Sequence, residues 1–251
     1  MSNSIDLNCD MGESFGAWQM GDDADVMPWI TSANVACGFH AGDFTTMQKT
    51  VALAKKHNVV VGAHISLPDL QGFGRRELRV SSDEAYAMSL YQIGALQAIA
   101  RTLDVRVAHV KPHGALYNMA AKDRALADAI ARAVRDAGKE IILVGLAGSE
   151  LIRAAEAAGV RAAHEAFADR RYEPDGSLTP RREADAVIHD VDAAVAQAVN
   201  IATNGKVDSR SGEINIRADT ICVHGDRVDA GVFAQRLRKA LDSAGSVVKA
   251  L

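Results

Sequence analysis

The chain has 251 residues, 48% of them hydrophobic, and a formal net charge of −4. That much apolar material supports one well-buried domain, and residues 1–251 read as a single (β/α) barrel. No segment interleaves a Lys/Arg block with aromatics and no window approaches about 18 uninterrupted apolar residues, so neither nucleic acid nor a membrane is an expected partner.

In chain order, a strand-like run near 4–8 leads into Asn8, Asp10 and Glu13, with Gly12 and Gly16 holding the backbone open. A second run, near 31–36, ends in Cys37, His40 and Asp43 and gives way to a helix-like stretch near 43–57. The third, near 58–63, ends in His64 and opens an excursion, Pro68 to Val80, that carries Gly72-Phe73-Gly74-Arg75-Arg76. The best-defined helix follows near 81–103. Ser81 or Ser82 can cap it, Glu84 sits in its first turn, and Ala85, Met88, Ile93, Leu96, Ile99 and Leu103 recur at helical spacing.

The fourth strand, near 107–111, ends in Lys111, His113 and Tyr117, and a helix is expected near 122–137. A strand near 141–145 and a helix near 148–158 precede the sixth strand, near 160–164, which ends in His164, Glu165 and Asp169. A second excursion, Ala168 to Arg182, holds Arg170-Arg171, an Asp175-Gly176 turn signal and Arg181-Arg182. The spacing predicts a helix over 183–203, with Ala184, Val187, Val191, Val195, Val199 and Ala202 on one stripe. Lys206 to Arg217 alternates around Ser211-Gly212 as a hairpin, and a seventh strand, near 219–224, ends in His224 and Asp226 before a helix near 230–243.

The strands read as continuous Val/Ile/Ala runs, as expected when both faces are covered. About seven βα units, one fewer than in the commonest barrel, predict an irregular α/β barrel of parallel strands. In such a fold the carboxyl ends of the strands share one face, so the acids, bases and cations that follow them should meet at one rim. A carboxylate there, partly shielded from water, suits a general base or metal ligand, which points to Asp10 and Glu13. His40, His64, His113 and His224 aim at the same rim. Lys111 offers a fixed ammonium, and the arginine pairs, Arg76 foremost, suit anions through their planar forks.

Other residues read as structural. His57 sits at a helix C-terminus and His189 in mid-helix, whereas His109, pointing sideways from its strand, is left undecided between the two readings. Cys9 and Cys37 read as buried thiols, and three dispersed cysteines without a Cys-x-x-Cys pair fit a reducing, cytoplasmic setting. No P-loop, G-x-S-x-G or post-strand G-x-G-x-x-G motif is present, which removes those nucleotide and hydrolase folds.

Six segments carry a specific likeness: LNCDMGESFGAW (7–18), ANVACGFHAGD (33–43), GAHISLPDLQGFGRRE (62–77), HVKPHGALYN (109–118), EAFADRRYEPDGSLTPR (165–181) and ICVHGD (221–226). In order, over nearly the whole chain, they resemble the LamB/YcsF family, which forms the A-subunit of the bacterial 5-oxoprolinase (ATP-hydrolysing). The resemblance implies a barrel related to the glycoside-hydrolase and polysaccharide-deacetylase group and assembly with two further subunits, B and C. It also implies cleavage of 5-oxo-L-proline to L-glutamate coupled to hydrolysis of ATP to ADP and phosphate. One departure is Ile65, where the family usually has proline, which should loosen the loop after His64.

For that reaction Asp10 or Glu13 would activate water, and Lys111 and Arg76 would hold the substrate carboxylate or transferred phosphate. His113, His64 and His40 would position the lactam or shuttle protons, with Glu165 and Asp169 ordering that side. Catalysis is therefore assigned to Asp10, Glu13, Lys111 and His113. Substrate binding is assigned to Asn8, His40, His64, Arg76, Tyr117, Glu165, Asp169 and His224. ATP could bind on this chain, at an interface between subunits or on a partner. Two other readings stay open: Asp10 with His40 and His64 could hold a divalent metal and hydrolyse an amide without ATP, or the chain could bind the lactam without catalysing.

Overall fold

The computed structural model describes residues 4–223 and 229–251. Strands β1 (Ser4–Met11), β2 (Ser32–Ala36), β3 (Val60–Ile65), β4 (Val107–Pro112), β5 (Ile142–Leu146) and β6 (Ala162–Phe167) pair in that order, all parallel. A separate antiparallel hairpin, β7 (Lys206–Ser209) and β8 (Gly212–Asn215), matches the expected turn at Ser211-Gly212. Strand β9 (Thr220–Val223) then pairs with both β6 and β1, closing a parallel barrel of seven strands. A two-residue strand, β10 (Val247–Val248), adds to the start of β1.

The helices are α1 (Asp23–Val26), α2 (Phe44–His57), α3 (Ser82–Thr102), α4 (Gly114–Ala120), α5 (Arg124–Ala137), α6 (Glu150–Ala157), α7 (Val191–Asn204) and α8 (Ala230–Ser243). Local chemistry sets their ends. Ser81 and Glu84 form a reciprocal capping box at α3, and the Asp123 carboxylate accepts the Ala125 and Leu126 N–H groups at α5. Helix α2 stops at Asn58, whose left-handed backbone (φ 57°) lets its N–H return to Ala54 and Lys55. Helix α5 buries Leu126, Ile130 and Val134 on one face, each worth about 1.5–3 kcal/mol of apolar burial.

Two expectations need correction. Helix α7 begins at Val191, capped by Asp190, and not at 183. The preceding residues are tied to the 168–182 excursion: Arg171 donates to the Ala186 carbonyl and Ile188 to that of Asp169, so their backbone groups are committed outside any helix. His189 therefore lies before the helix. The loop after His64 is also not loosened, because Ile65 is a buried strand residue opposite Pro112 and its carbonyl accepts the His113 N–H at 2.7 Å.

The larger correction concerns the barrel's interior. On β1, Ile5, Leu7, Cys9 and Met11 are buried in the apolar core, while Asp6, Asn8 and Asp10 alternate with them and meet polar partners on other strands. At the base Asp6 accepts from Thr31 (2.6 Å), Ser32 (2.7 Å) and Thr220 (2.5 Å). One tier up, Asn8 donates to Thr220 (2.7 Å) and accepts from Asn34 (2.7 Å), and His109 meets the Asn34 side-chain oxygen at 2.7 Å. His109 thus fills the barrel, lying over Gly62, where any Cβ would collide with its ring. The main apolar core lies on the helix side, Ile142, Val144 and Ala163 form a small separate apolar cluster, and a hydrogen-bonded polar column rises inside toward the carboxyl ends of the strands.

Candidate active site at the barrel mouth

Lys111 tops the column. Its ammonium lies 2.9 Å from Asp10 Oδ1, 2.8 Å from Glu165 Oε1, 3.1 Å from Asn8 Oδ1 and 3.2 Å from Cys222 Sγ. Burial alone would strip its proton, but Asp10 and then Cys222 and Glu165 hold its pKa well above the usual lysine value. Asp10 answers in kind. Burial would raise its carboxyl, yet His64 and Lys111 beside it hold it well below the ordinary range, as a carboxylate. Asn34 donates to the same Oδ1 at 2.9 Å, which fixes the rotamer. Tyr117 is buried, and burial followed by the charge of Glu165 pushes its phenol well above its ordinary value.

Glu13, His40, His64 and His113 form a second, adjoining cluster, all buried, with one ligand atom of each within 4.8 Å of the others. Three side chains arrive from the ends of β1, β2 and β3, and His113 caps α4 directly after β4. His113 Nε2 faces the Phe73 carbonyl at 2.8 Å and His64 Nδ1 faces the Lys111 carbonyl at 2.9 Å. A carbonyl only accepts, so both rings place N–H outward and turn their other nitrogens inward, 3.0 Å apart. Asp10 Oδ2 lies 3.3 Å from His64 Nε2 and Glu13 Oε1 3.3 Å from His40 Nε2. Two inward lone pairs beside two carboxylates call for a shared proton or a cation between them. Burial lowers the pKa of both His40 and His113 well below the usual imidazole value, and His40 Nδ1 is buried without a hydrogen-bond partner.

Above these clusters opens a cavity of about 510 Å³. Asp10, Glu13, His64, Lys111, His113 and Tyr117 line its floor, so the rim expected from the sequence forms. Other expected residues sit elsewhere. Asn8 and Glu165 lie beneath, supporting Lys111, and His40 stacks on His113 with ring centroids 3.9 Å apart. Asp169 is buried outside the lining, its carbonyl accepting from Ile188. Arg76 is turned away and paired with Asp69, whose carboxyl the guanidinium holds below its ordinary value; Arg75 lines the cavity in its place. His224 lies outside the described residues.

Sequence reasoning missed Asn34, His109, Cys222 and the Phe73 carbonyl. The period-two polar residues Asp6, Asn8, Asp10 and His109, Lys111 were the available signal for an inward-facing polar face. Gly74 explains how Phe73 reaches the site: its backbone is left-handed (φ 63°), and a Cβ there would press on Ser66, His113 and His40. The cysteines are buried, with Cys37 pushed up to about 12 by burial and Cys9 and Cys222 raised well above the usual thiol value by burial and nearby carboxylates. They are not poised as thiolates.

The LamB/YcsF family matches residues 5–251. The chain is 55% identical to the 5-oxoprolinase A-subunit of Bordetella pertussis (strain Tohama I) over 251 residues, the whole of both chains. It is 53% identical to that of Bacillus subtilis (strain 168) over 248 residues, 98% of this chain and 96% of that one. A lactam utilization protein from Thermus thermophilus superposes with a TM-score of 0.94 at 44% identity, covering 99% of this chain and 100% of that chain. A T48 deacetylase shares the fold alone, with a TM-score of 0.51 at 12% identity over 98% of this chain and 87% of that one. Among the described residues no helix is long and apolar enough to cross a membrane.

Proposed function

The chain belongs to the LamB/YcsF family, and from that premise we propose that it works within a 5-oxoprolinase, opening 5-oxo-L-proline to L-glutamate while ATP becomes ADP and phosphate. The observation that carries this reading is identity of 53–55% along the whole chain with proteins of that name. The same name implies further subunits, which we take to be two.

The chemistry suits the residues. A lactam resists water because its nitrogen is a poor leaving group. Attack of the amide oxygen on the terminal phosphorus breaks the bond to the bridging oxygen, and ADP leaves with that electron pair. The ring nitrogen's proton passes to a base. Water then adds to the activated carbon and the C–N bond breaks as the nitrogen regains protons, leaving an acyl phosphate that a second water hydrolyses. Asp10, held ionised, or Glu13 takes the proton of the attacking water. Lys111, fixed by Asp10 and Glu165, stabilises the charge that grows on oxygen, and His113 and His64 relay protons at the ring. Asn8, Glu165 and His40 position these groups.

The donor set Glu13, His40, His64 and His113 also fits a divalent cation, since two imidazoles are anchored outward by carbonyls and present their lone pairs together. A cation bound there would supply Lewis acidity and offset phosphate charge. That cluster favours a second reading, metal-assisted amide hydrolysis without ATP. One assay separates the two: glutamate and ADP formed from 5-oxoproline by this chain alone and with its partner subunits, with and without ATP. Glutamate and ADP produced only with ATP supports the first reading; glutamate produced without it supports the second.

A further inference from the structure

5-Oxo-L-proline carries one full charge, its carboxylate, and few cations of the cavity are placed to receive it. The floor repels it, because Asp10 and Glu13 are there, and Lys111 already lies between Asp10 (2.9 Å) and Glu165 (2.8 Å). Arg76 is bound to Asp69 and turned away. Arg75 and Arg181 line the cavity but are exposed and engaged with other groups. Lys122 and Arg182 are exposed too, where water and salt screen a charge. Arg170 differs from all of these.

It lines the cavity, yet it is only 4% exposed. Its guanidinium donates through Nε to the Ala186 carbonyl at 3.3 Å and through Nη2 to the Thr179 carbonyl at 2.7 Å, which sets its plane. With two committed, three of a guanidinium's five N–H groups remain, enough to grip one carboxylate through two parallel bonds. Among the described residues no carboxylate is hydrogen-bonded to it. Burial first, then Arg181, lowers its pKa to about 10, with the charge of Asp169 opposing that shift, so the side chain stays a cation at neutral pH. The backbone is fixed as well, since Gln197 donates to the carbonyls of Phe167, Ala168 and Arg170. Leu146, Phe167 and Leu178 line the same cavity as apolar surface for ring methylenes, and the Phe167 ring centroid lies 5.7 Å from the Lys111 ammonium.

We propose that Arg170 clamps the substrate carboxylate and so restricts this chain to lactams that carry one, with the ring amide at Asp10 and Lys111. The inference rests on the 5-oxoprolinase reading and names the residue that selects its substrate. A neutral lactam leaves the remaining N–H groups of Arg170 unmatched, and a site built around a buried polar group rejects analogues that lack its partner.

The test is calorimetric titration of the purified chain with 5-oxo-L-proline, its primary amide and 2-pyrrolidinone. The chain should bind 5-oxo-L-proline at least tenfold more tightly than either neutral lactam. Arg170→Gln, checked for folding by circular dichroism, should weaken 5-oxo-L-proline at least tenfold and change the neutral lactams less than twofold, whereas a merely structural role would weaken all three together. The Lys122→Gln/Arg182→Gln double variant should keep the preference. The proposal is overturned if the unaltered chain binds all three alike or binds none of them. It is equally overturned if the double variant, and not Arg170→Gln, abolishes the preference. Either result, beside glutamate formation by the reconstituted complex, leaves the 5-oxoprolinase reading intact. A carboxylate preference that Arg170→Gln removes, in a chain whose complex forms no glutamate, would uphold the clamp and reject the activity.

Discussion

At the scale of single residues, the site depends on charges held in a buried column. Lys111 lies between Asp10 and Glu165, both within 2.9 Å. Lys111→Ala leaves those carboxylates buried without their cation, and should cost about 3–5 kcal/mol by urea denaturation. A loss under 1 kcal/mol would mean that water reaches the column. His109 gives a pH signature. Burial first, then the Lys111 charge, lowers its pKa to about 3, whereas in the unfolded chain it takes a proton near pH ~6.5. The unfolded state therefore binds the extra proton between those values, and stability falls as pH drops from ~6.5 toward 3, by about 2–3 kcal/mol at pH 4.5. His109→Gln, which keeps a donor for Asn34, should lose less between pH 7 and 4.5 than the parent. An equal loss would assign the acid sensitivity to other groups.

At the scale of elements, loops and caps place the site. Asp43 caps α2 by accepting from Thr45 (2.8 Å) and Thr46 (2.9 Å), and it also accepts the Gly16 N–H at 2.7 Å, tying the loop after β1 to the helix after β2. These N–H groups, Gly16's first, hold its carboxyl below the ordinary value, so its contribution is present above about pH 4 and lost as pH falls through the depressed pKa. Asp43→Ala should cost about 1–2 kcal/mol at pH 7, and less at pH 2. A loss of the same size at pH 2 would show that the charge plays no part. Gly62→Ala should be more severe, because a Cβ on β3 meets the His109 ring inside the barrel. Little soluble protein is expected, and a normally stable variant would show that His109 can move aside. Much of this scale was legible. Continuous apolar runs gave seven strands, and the Ser81 cap with its helical spacing gave α3 within a residue. Helix α7 was overextended because Ala184 and Val187 continue its stripe, while the hydrogen bonds that commit Ala186 and Ile188 to the 168–182 excursion leave no mark in local spacing. Helix α4 was missed because Pro112 and Gly114 read as loop.

At the scale of the whole molecule, barrel closure brings β1 and β9 together and so sets Asn8 against Thr220, more than two hundred residues on. That the mouth would gather Asp10, Lys111 and His113 was readable from strand order, since a parallel barrel allows no other arrangement of strand ends. What local sequence could not give is the division of labour within the gathering. Whether Arg75 or Arg76 faces the cavity depends on which one Asp69 captures, and whether Asn8 meets substrate or supports Lys111 depends on depth along the strand. The most direct measurement is ATP-dependent glutamate formation from 5-oxoproline by the reconstituted complex carrying Lys111→Met in this chain, with assembly verified by size-exclusion chromatography. The variant complex should assemble and turn over at least about a hundredfold more slowly, the scale expected for removing a charge that stabilises the transition state. An assembled complex with undiminished turnover would contradict the placement of the chemistry at this mouth.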